Sequence, residues 1–186
     1  MTLIEFKTYL FHSNIERHKE IKNQLLDLFK TNKESLFDRE KGQNDHIHNL
    51  DWQSSKDTSR EWVRLFFPIL QNKLNEMIRP SGLSKCTIYD VWFQQYQKEG
   101  THGWHTHGAN YTGVYYLNLH DDNPGTEILF PTDPLKRTII KVTEGDIIIF
   151  PSFFIHRAPL NKSNNLKTII SFNFDAINPI RKYVEN

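Results

Sequence analysis

The sequence predicts a mainly β domain, a sandwich or barrel, supported by helices at its N-terminal side. Between residues 86 and 177 lie six short segments rich in β-branched and aromatic residues: "CTIYDVWFQQYQ", "TGVYYLNL", "TEILFP", "RTIIKVT", "DIIIFPSF" and "KTIISFNFDAI". Turn-forming runs such as "DDNPG" and "TEGD" separate them, as in antiparallel all-β domains. Ahead of residue 86 the apolar residues recur at helical spacing instead.

In chain order, residues 1–12 read as a short strand. Residues 13–30, "SNIERHKEIKNQLLDLFK", read as a helix capped by Ser13 or Asn14, with Ile21, Leu25, Leu28 and Phe29 on one face. Residues 31–57 are polar and irregular and read as a long loop. A second helix is expected from Thr58, where Thr58-x-x-Glu61 has the pattern of a capping box. Trp62, Phe66, Ile69, Leu70, Leu74 and Met77 give it an apolar stripe, Pro68 should kink it, and "RPSG" at 79–82 ends it. The six strands follow, with the helices packed on one face of the β structure.

The bulk properties narrow the function. The chain has 186 residues, 38% of them apolar, enough for one domain with a real core. Its formal net charge is +1, and no block of like charge stands out. A nucleic-acid partner is therefore not expected. No run approaches the roughly 18 apolar residues of a membrane span, and the N-terminus lacks a signal-peptide pattern. Cys86 is the single cysteine, so no intramolecular disulfide forms. A soluble cytoplasmic protein is the expectation.

The nine histidines carry the chemistry. His105 and His107, in "GWHTHGANYTGVYYLN", are two residues apart, and if a strand runs through them both rings point to one face. Two imidazoles placed so can share a metal ion, and a third ligand must come from elsewhere. His156, which follows the apolar strand 146–150 and a Pro-Ser turn, is the best candidate. Iron, manganese and zinc all accept such a set, and three ligands leave positions open. Gly100, Gly103 and Gly108 flank the first pair and let the backbone turn closely there. A second HxH, His46 and His48, sits in the polar loop without strand periodicity and reads as a decoy. His12, His18 and His120 read as solvated or locally hydrogen-bonded, and His102 as a loop residue or a neighbour of the pair.

Taken together, the HxH, "TGVYYLN", "FPSFFIHRAP" and the basic residue of "NNLKTIISFNFD" resemble the 2-oxoglutarate/Fe(II)-dependent dioxygenases, especially the prolyl-4-hydroxylase-like branch. The resemblance spans roughly residues 88–176. It implies a double-stranded β-helix, the jelly roll shared with cupins, over residues 86–178. Residues 1–85 would be its helical support, the whole chain 1–186 making a single domain. It further implies a cytoplasmic iron oxidoreductase that consumes 2-oxoglutarate and O2, releases succinate and CO2, and hydroxylates an unidentified small molecule or peptide. His105 and His156 match the family's two histidine ligands. Tyr116 and Lys167 match the clamp on the far carboxylate of 2-oxoglutarate, with Lys167 in place of the usual arginine, a point charge in place of a fork. Tyr96 matches a tyrosine lining the cosubstrate pocket. The departure is His107, which stands where the family has a carboxylate. Either the metal has three imidazole ligands or His107 turns away. Trp104, Tyr111 and Phe153 are candidates for the substrate entrance or for packing.

Two other readings compete. Gly145, Pro151, His156 and Asn161 also fit a cupin second motif, and HxH opens a cupin first motif. The glutamate that should follow is replaced by Tyr111 and Thr112. A cupin-type metal protein would not need 2-oxoglutarate. A β-sandwich binding module with structural histidines would bind no metal at all.

Overall fold

The computed structural model describes residues 8–31, 47–130 and 133–178. Two sheets face each other, and two helices pack on the outer face of the larger one.

The first strand, β1 (Phe11–Asn14), pairs antiparallel with β8 (Asp146–Pro151). It starts later than the sequence suggests, and residues 1–7 of the expected strand lie outside the described residues. The shift moves the helix start. Ser13 and Asn14 are committed to pairing with Ile147 and Asp146, so neither caps α1 (His18–Lys30). Arg17 takes the cap position and makes no side-chain capping bond. The apolar stripe holds: Ile21, Leu25 and Phe29 are buried, and Leu28 is partly so.

Of the expected loop, residues 32–46 lie outside the described residues, and the remainder is ordered structure. β2 (Ile47–Leu50) joins the larger sheet beside β3 (Lys85–Tyr96), and a 3-10 turn follows at Trp52–Ser54. Asp51 pins this turn. Its buried carboxylate accepts from the Phe93 backbone N–H (2.8 Å), Trp62 Nε1 (2.9 Å) and the Arg60 guanidinium. Burial raises the Asp51 pKa, and the Arg60 charge opposes the rise. Because Arg60 is drawn to Asp51, α2 begins later than expected, at Glu61, and runs to Met77 with Pro68 inside it. The Thr58 capping box does not form. Asp57 instead accepts the Ser59 N–H at 2.8 Å.

The remaining strands are β4 (His102–His105), β5 (Tyr111–Asn118), β6 (Glu127–Phe130), β7 (Asp133–Ile139), β9 (His156–Ala158) and β10 (Lys167–Ile177). All six expected segments contain strand, but "RTIIKVT" is strand only up to Ile139, because β7 starts earlier. β4 and β9 are too short to leave a periodic signal. The larger sheet has the order β1-β8-β5-β10-β3-β2, and the smaller β4-β9-β6-β7.

Alternation sorts the larger sheet into two faces. Val91, Phe93, Tyr115, Ile147, Ile149, Ile170 and Phe172 meet the helices, where Phe29 stacks on Phe93 at 4.0 Å and Phe66 on Tyr115 at 5.1 Å. Gly113 belongs to this packing, since a Cβ there would stand 2.3 Å from the Phe172 ring. Tyr96, Val114, Tyr116, Ile148, Phe150 and Ile169 face the smaller sheet and enclose a second core.

Candidate metal centre

β4 and β9 are antiparallel neighbours, and His105 lies directly opposite His156. A cross-strand pair brings residues 51 positions apart within side-chain reach. His107 arrives differently from the sequence expectation. β4 ends at His105, so strand alternation does not place His107. A backbone hydrogen bond does, from the His107 N–H to the Ser152 carbonyl at 3.1 Å. The three rings converge, and one nitrogen from each lies within 4.8 Å of the others.

Two of the rings have a defined tautomer. His105 Nδ1 lies 2.7 Å from the Gly103 carbonyl, and His156 Nδ1 lies 2.8 Å from the Phe154 carbonyl. A carbonyl only accepts, so each Nδ1 carries the proton and each Nε2 the lone pair. That is the arrangement of metal-binding histidines held by their outer partners. Burial, reinforced by the neighbouring imidazoles, lowers the His156 pKa to about 3 and that of His107 to about 4. Both rings are thus neutral donors at pH 7. The donor set fits a divalent transition metal such as iron, manganese or zinc.

The surroundings hold this set in place. Phe150 meets His156 edge-on at 4.8 Å, and Trp92 lies 5.9 Å from His107. His102 stacks on His105 at 4.2 Å and has Gln94 Nε2 3.3 Å from its Nδ1, so it buttresses the His105 ring. The decoy separates cleanly: His48 is exposed on β2, which corrects its assignment to a loop, and His46 lies outside the described residues. His12 pairs with Asp146, and His18 with Tyr115 and Glu144, contacts between segments far apart in sequence rather than the local ones expected.

The second set of expected residues meets in the interior between the sheets. Lys167 begins β10 opposite Tyr96, in the middle of the larger sheet. It is 2% exposed. Its ammonium donates to the Pro124 carbonyl at 2.5 Å and lies 5.7 Å and 5.9 Å from the rings of Tyr96 and Tyr116. No carboxylate pairs with it among the described residues, and burial lowers its pKa to about 7. Tyr116 shares a 2.7 Å hydrogen bond with the Thr126 hydroxyl and accepts the Thr126 N–H at 3.0 Å. Burial raises its pKa to about 12, so it keeps its proton. The same interior holds Phe150, which touches the triad.

The entrance candidates divide. Phe153 is exposed beside the triad turn. Trp104 packs under Arg157, 4.5 Å away, and Arg137, 5.7 Å away. Tyr111 stacks on Phe174 in the helix-side core and has no place at the entrance. Asn161 of the cupin pattern is a loop clasp, donating to the carbonyls of Tyr96 and Gln97 at 3.2 Å. Gly145 is there for its backbone, with φ +92°. Thr126, Gln94, Trp92 and Trp52 escape sequence reading because only tertiary pairing brings them to the site.

No protein-family model matches the chain, and no curated protein is similar to it in sequence. Solved structures are similar in fold. A viral collagen prolyl hydroxylase from Paramecium Bursaria Chlorella virus-1, solved as its 2OG complex, superposes with a TM-score of 0.62 at 18% identity, covering 91% of this chain and 96% of that one. A prolyl-4-hydroxylase from Pseudomonas putida gives 0.63 at 11% identity, covering 90% and 92%. An oxidoreductase of the 2OG-Fe(II) oxygenase family from Burkholderia pseudomallei gives 0.51 at 12%, and this chain spans 55% of its length. Among the described residues, no helix is long and apolar enough to cross a membrane. The two facing antiparallel sheets, with helices on the larger one, are the jelly roll seen in 2-oxoglutarate/Fe(II) oxygenases, and that is the fold of this chain.

Proposed function

We propose that the chain is a non-haem Fe(II)- and 2-oxoglutarate-dependent dioxygenase that hydroxylates a small molecule or peptide and releases succinate and CO2. The observation that carries this reading is Lys167. A buried ammonium without a counter-anion is costly, and a dicarboxylate reaching in from the triad would supply the missing charge. His105, His107 and His156 would hold the iron; Lys167 and Tyr116, with Tyr96 as a wall, would hold the far carboxylate.

When bound, iron and 2-oxoglutarate supply the oxidation of an unactivated C–H bond with O2. The chain supplies position and dryness. The Gly103 and Phe154 carbonyls orient two imidazoles, Thr126 aims the Tyr116 hydroxyl, and Val114, Ile148 and Phe150 exclude water. Three neutral ligands leave a divalent ion its full charge, which favours an anionic cosubstrate. We take the chain as one domain, with residues 86–178 as core and 1–85 as support, although β1 and β2 cross that boundary. A single buried thiol suits a reducing, cytoplasmic compartment.

The test is an anaerobic titration of purified protein with Fe(II) and 2-oxoglutarate. A visible charge-transfer band that requires both supports the proposal. Metal binding without any response to 2-oxoglutarate favours the cupin-type reading, and no metal binding leaves a non-catalytic module.

A further inference from the structure

We propose that the primary substrate presents a positively charged N–H donor group, a protonated amine or a guanidinium, to a recess formed by Asp90 and Asn173 beside the triad, with Trp92 and Trp52 as its wall. This rests on reading the triad as the oxygenase centre and adds the substrate class to it.

Register places these residues on one face. On the face of the larger sheet that meets the smaller one, residues from neighbouring strands form rows. Lys167 and Tyr96 make the first row, Ile169 and Gln94 the next, then Ser171 and Trp92, then Asn173 and Asp90. The buried lysine and the Asp90 row therefore lie on opposite sides of Trp92, the residue in contact with His107. A cosubstrate held by Lys167 leaves the Asp90 side for the molecule that is oxidised.

The chemistry of that side is accepting. Asn173 donates its Nδ2 to Asp90 Oδ2 at 3.3 Å, which turns its Oδ1 away. That Oδ1 is buried and has no hydrogen-bond partner, and Asn173 is only 5% exposed. A buried acceptor left unsatisfied is rare and calls for an explanation. Ser152, whose carbonyl holds His107, has a buried and unpartnered Oγ as well. Asp90 is half-buried, and no cation pairs with it among the described residues. A carboxylate without a cationic partner among the described residues, next to an asparagine whose buried amide oxygen has no donor, suits a ligand rich in N–H groups and positive charge.

The wall supports the same class. Trp52 packs edge-on against Trp92 at 4.4 Å yet stays 41% exposed. Its turn is fixed from both sides, by the buried Asp51 and by Ser55, whose Oγ donates to Asp90 Oδ1 at 3.3 Å and whose carbonyl takes the Val91 N–H at 2.9 Å. An exposed indole held rigidly beside a carboxylate suits a cation.

The experiment is calorimetric titration of anaerobic protein carrying Fe(II) and 2-oxoglutarate with charge-matched pairs. L-Arginine is compared with L-citrulline and L-lysine with L-norleucine, each also as the centre of a blocked tripeptide flanked by glycines. At least one charged probe should bind about tenfold to a hundredfold more tightly than its neutral partner, the weight of one charge-assisted hydrogen bond. Asp90→Asn should erase the preference. The free and peptide arms tell a metabolite from a side chain. Neutral probes binding as tightly as charged ones, or no probe binding to protein that displays the charge-transfer band, overturns the inference while leaving the oxygenase reading intact. Discrimination without the band keeps the recess and removes the oxygenase. Should Asp90→Asn fail to fold, the matched pairs on the unaltered protein still decide.

Discussion

Replacing Lys167 by methionine keeps the length of the stem and removes the charge, which separates ligand binding from folding. In the metal-free protein burial moves the lysine pKa from 10.5 to about 7, which at 1.36 kcal/mol per unit is a penalty of about 5 kcal/mol at and below neutral pH. The single bond to the Pro124 carbonyl returns about 1–3 kcal/mol of this. Lys167→Met should therefore stabilise metal-free protein by about 2–4 kcal/mol, or about 5–15 °C in melting temperature for a chain of this size. The sign follows from proton linkage. Between pH 7 and 10.5 the unfolded chain binds the proton and the native one releases it. The stability of the unaltered protein thus climbs with pH through that window, and its deficit to the variant closes by the upper end. For 2-oxoglutarate the direction reverses. Losing a buried partner of a carboxylate costs about 2–5 kcal/mol, so half-saturation should rise about thirtyfold to five-thousandfold. Thermal unfolding between pH 6 and 11, with the 2-oxoglutarate dependence of the charge-transfer band, measures both. A variant that is less stable than the parent, or one whose half-saturation is unmoved, would refute the assignment of Lys167 as a clamp waiting for an anion.

Other expectations are simpler to read. His107→Ala should weaken Fe(II) binding by at least about tenfold to a hundredfold, whereas His107→Asp should retain it; metal affinity unchanged in the alanine variant would remove His107 from the ligand set. Asp51→Ala leaves the Phe93 and Trp62 N–H groups without their acceptor and the Arg60 charge without its carboxylate, although Arg60 keeps its bonds to backbone carbonyls. The substitution should cost about 3–5 kcal/mol in denaturant unfolding, and a loss below 1 kcal/mol would show the clasp to be replaceable. Gly113→Ala drives a methyl group into Phe172 and Ile149, an overpacking cost of about 1–3 kcal/mol that thermal unfolding will detect. His48→Ala, on the exposed side of β2, should leave metal binding unaltered.

Legibility along the sequence followed element length. Segments such as "TGVYYLNL" and "KTIISFNFDAI" run long enough for β-branched and aromatic residues to declare a strand, and both are found. β2, β4 and β9 have four, four and three residues, and pairing with neighbours, not pattern, makes them strands. The helix caps misled for the same reason. Ser13 and Thr58 have capping chemistry, but β1 takes the first into its ladder and the Asp51–Arg60 pair sets the start of α2 beyond the second. Within the candidate site, His105, His156, Lys167, Tyr116 and Tyr96 could be singled out from sequence, because each stands in a recognisable local segment. Thr126, Gln94 and Trp52 could not, since their contacts with Tyr116, His102 and Trp92 are made across the fold and no local motif announces them.

The sequence by itself determined the residue chemistry: three histidines able to share a metal, a basic residue at the start of the last strand, and strand segments typical of a β-sandwich or barrel. Sequence context already set "WHTH" apart from "DHIH", and the tertiary structure supplied the geometry of the triad. Pairing of β4 with β9 puts His105 against His156, and the Ser152 carbonyl turns His107 toward both, while His48 faces outward from an edge strand. It also decided that Lys167 is buried without a counter-charge among the described residues and that Asn173, bonded to Asp90, has a buried acceptor without a partner. Burial and register depend on contacts between segments far apart in the chain, and no local pattern of residues encodes them.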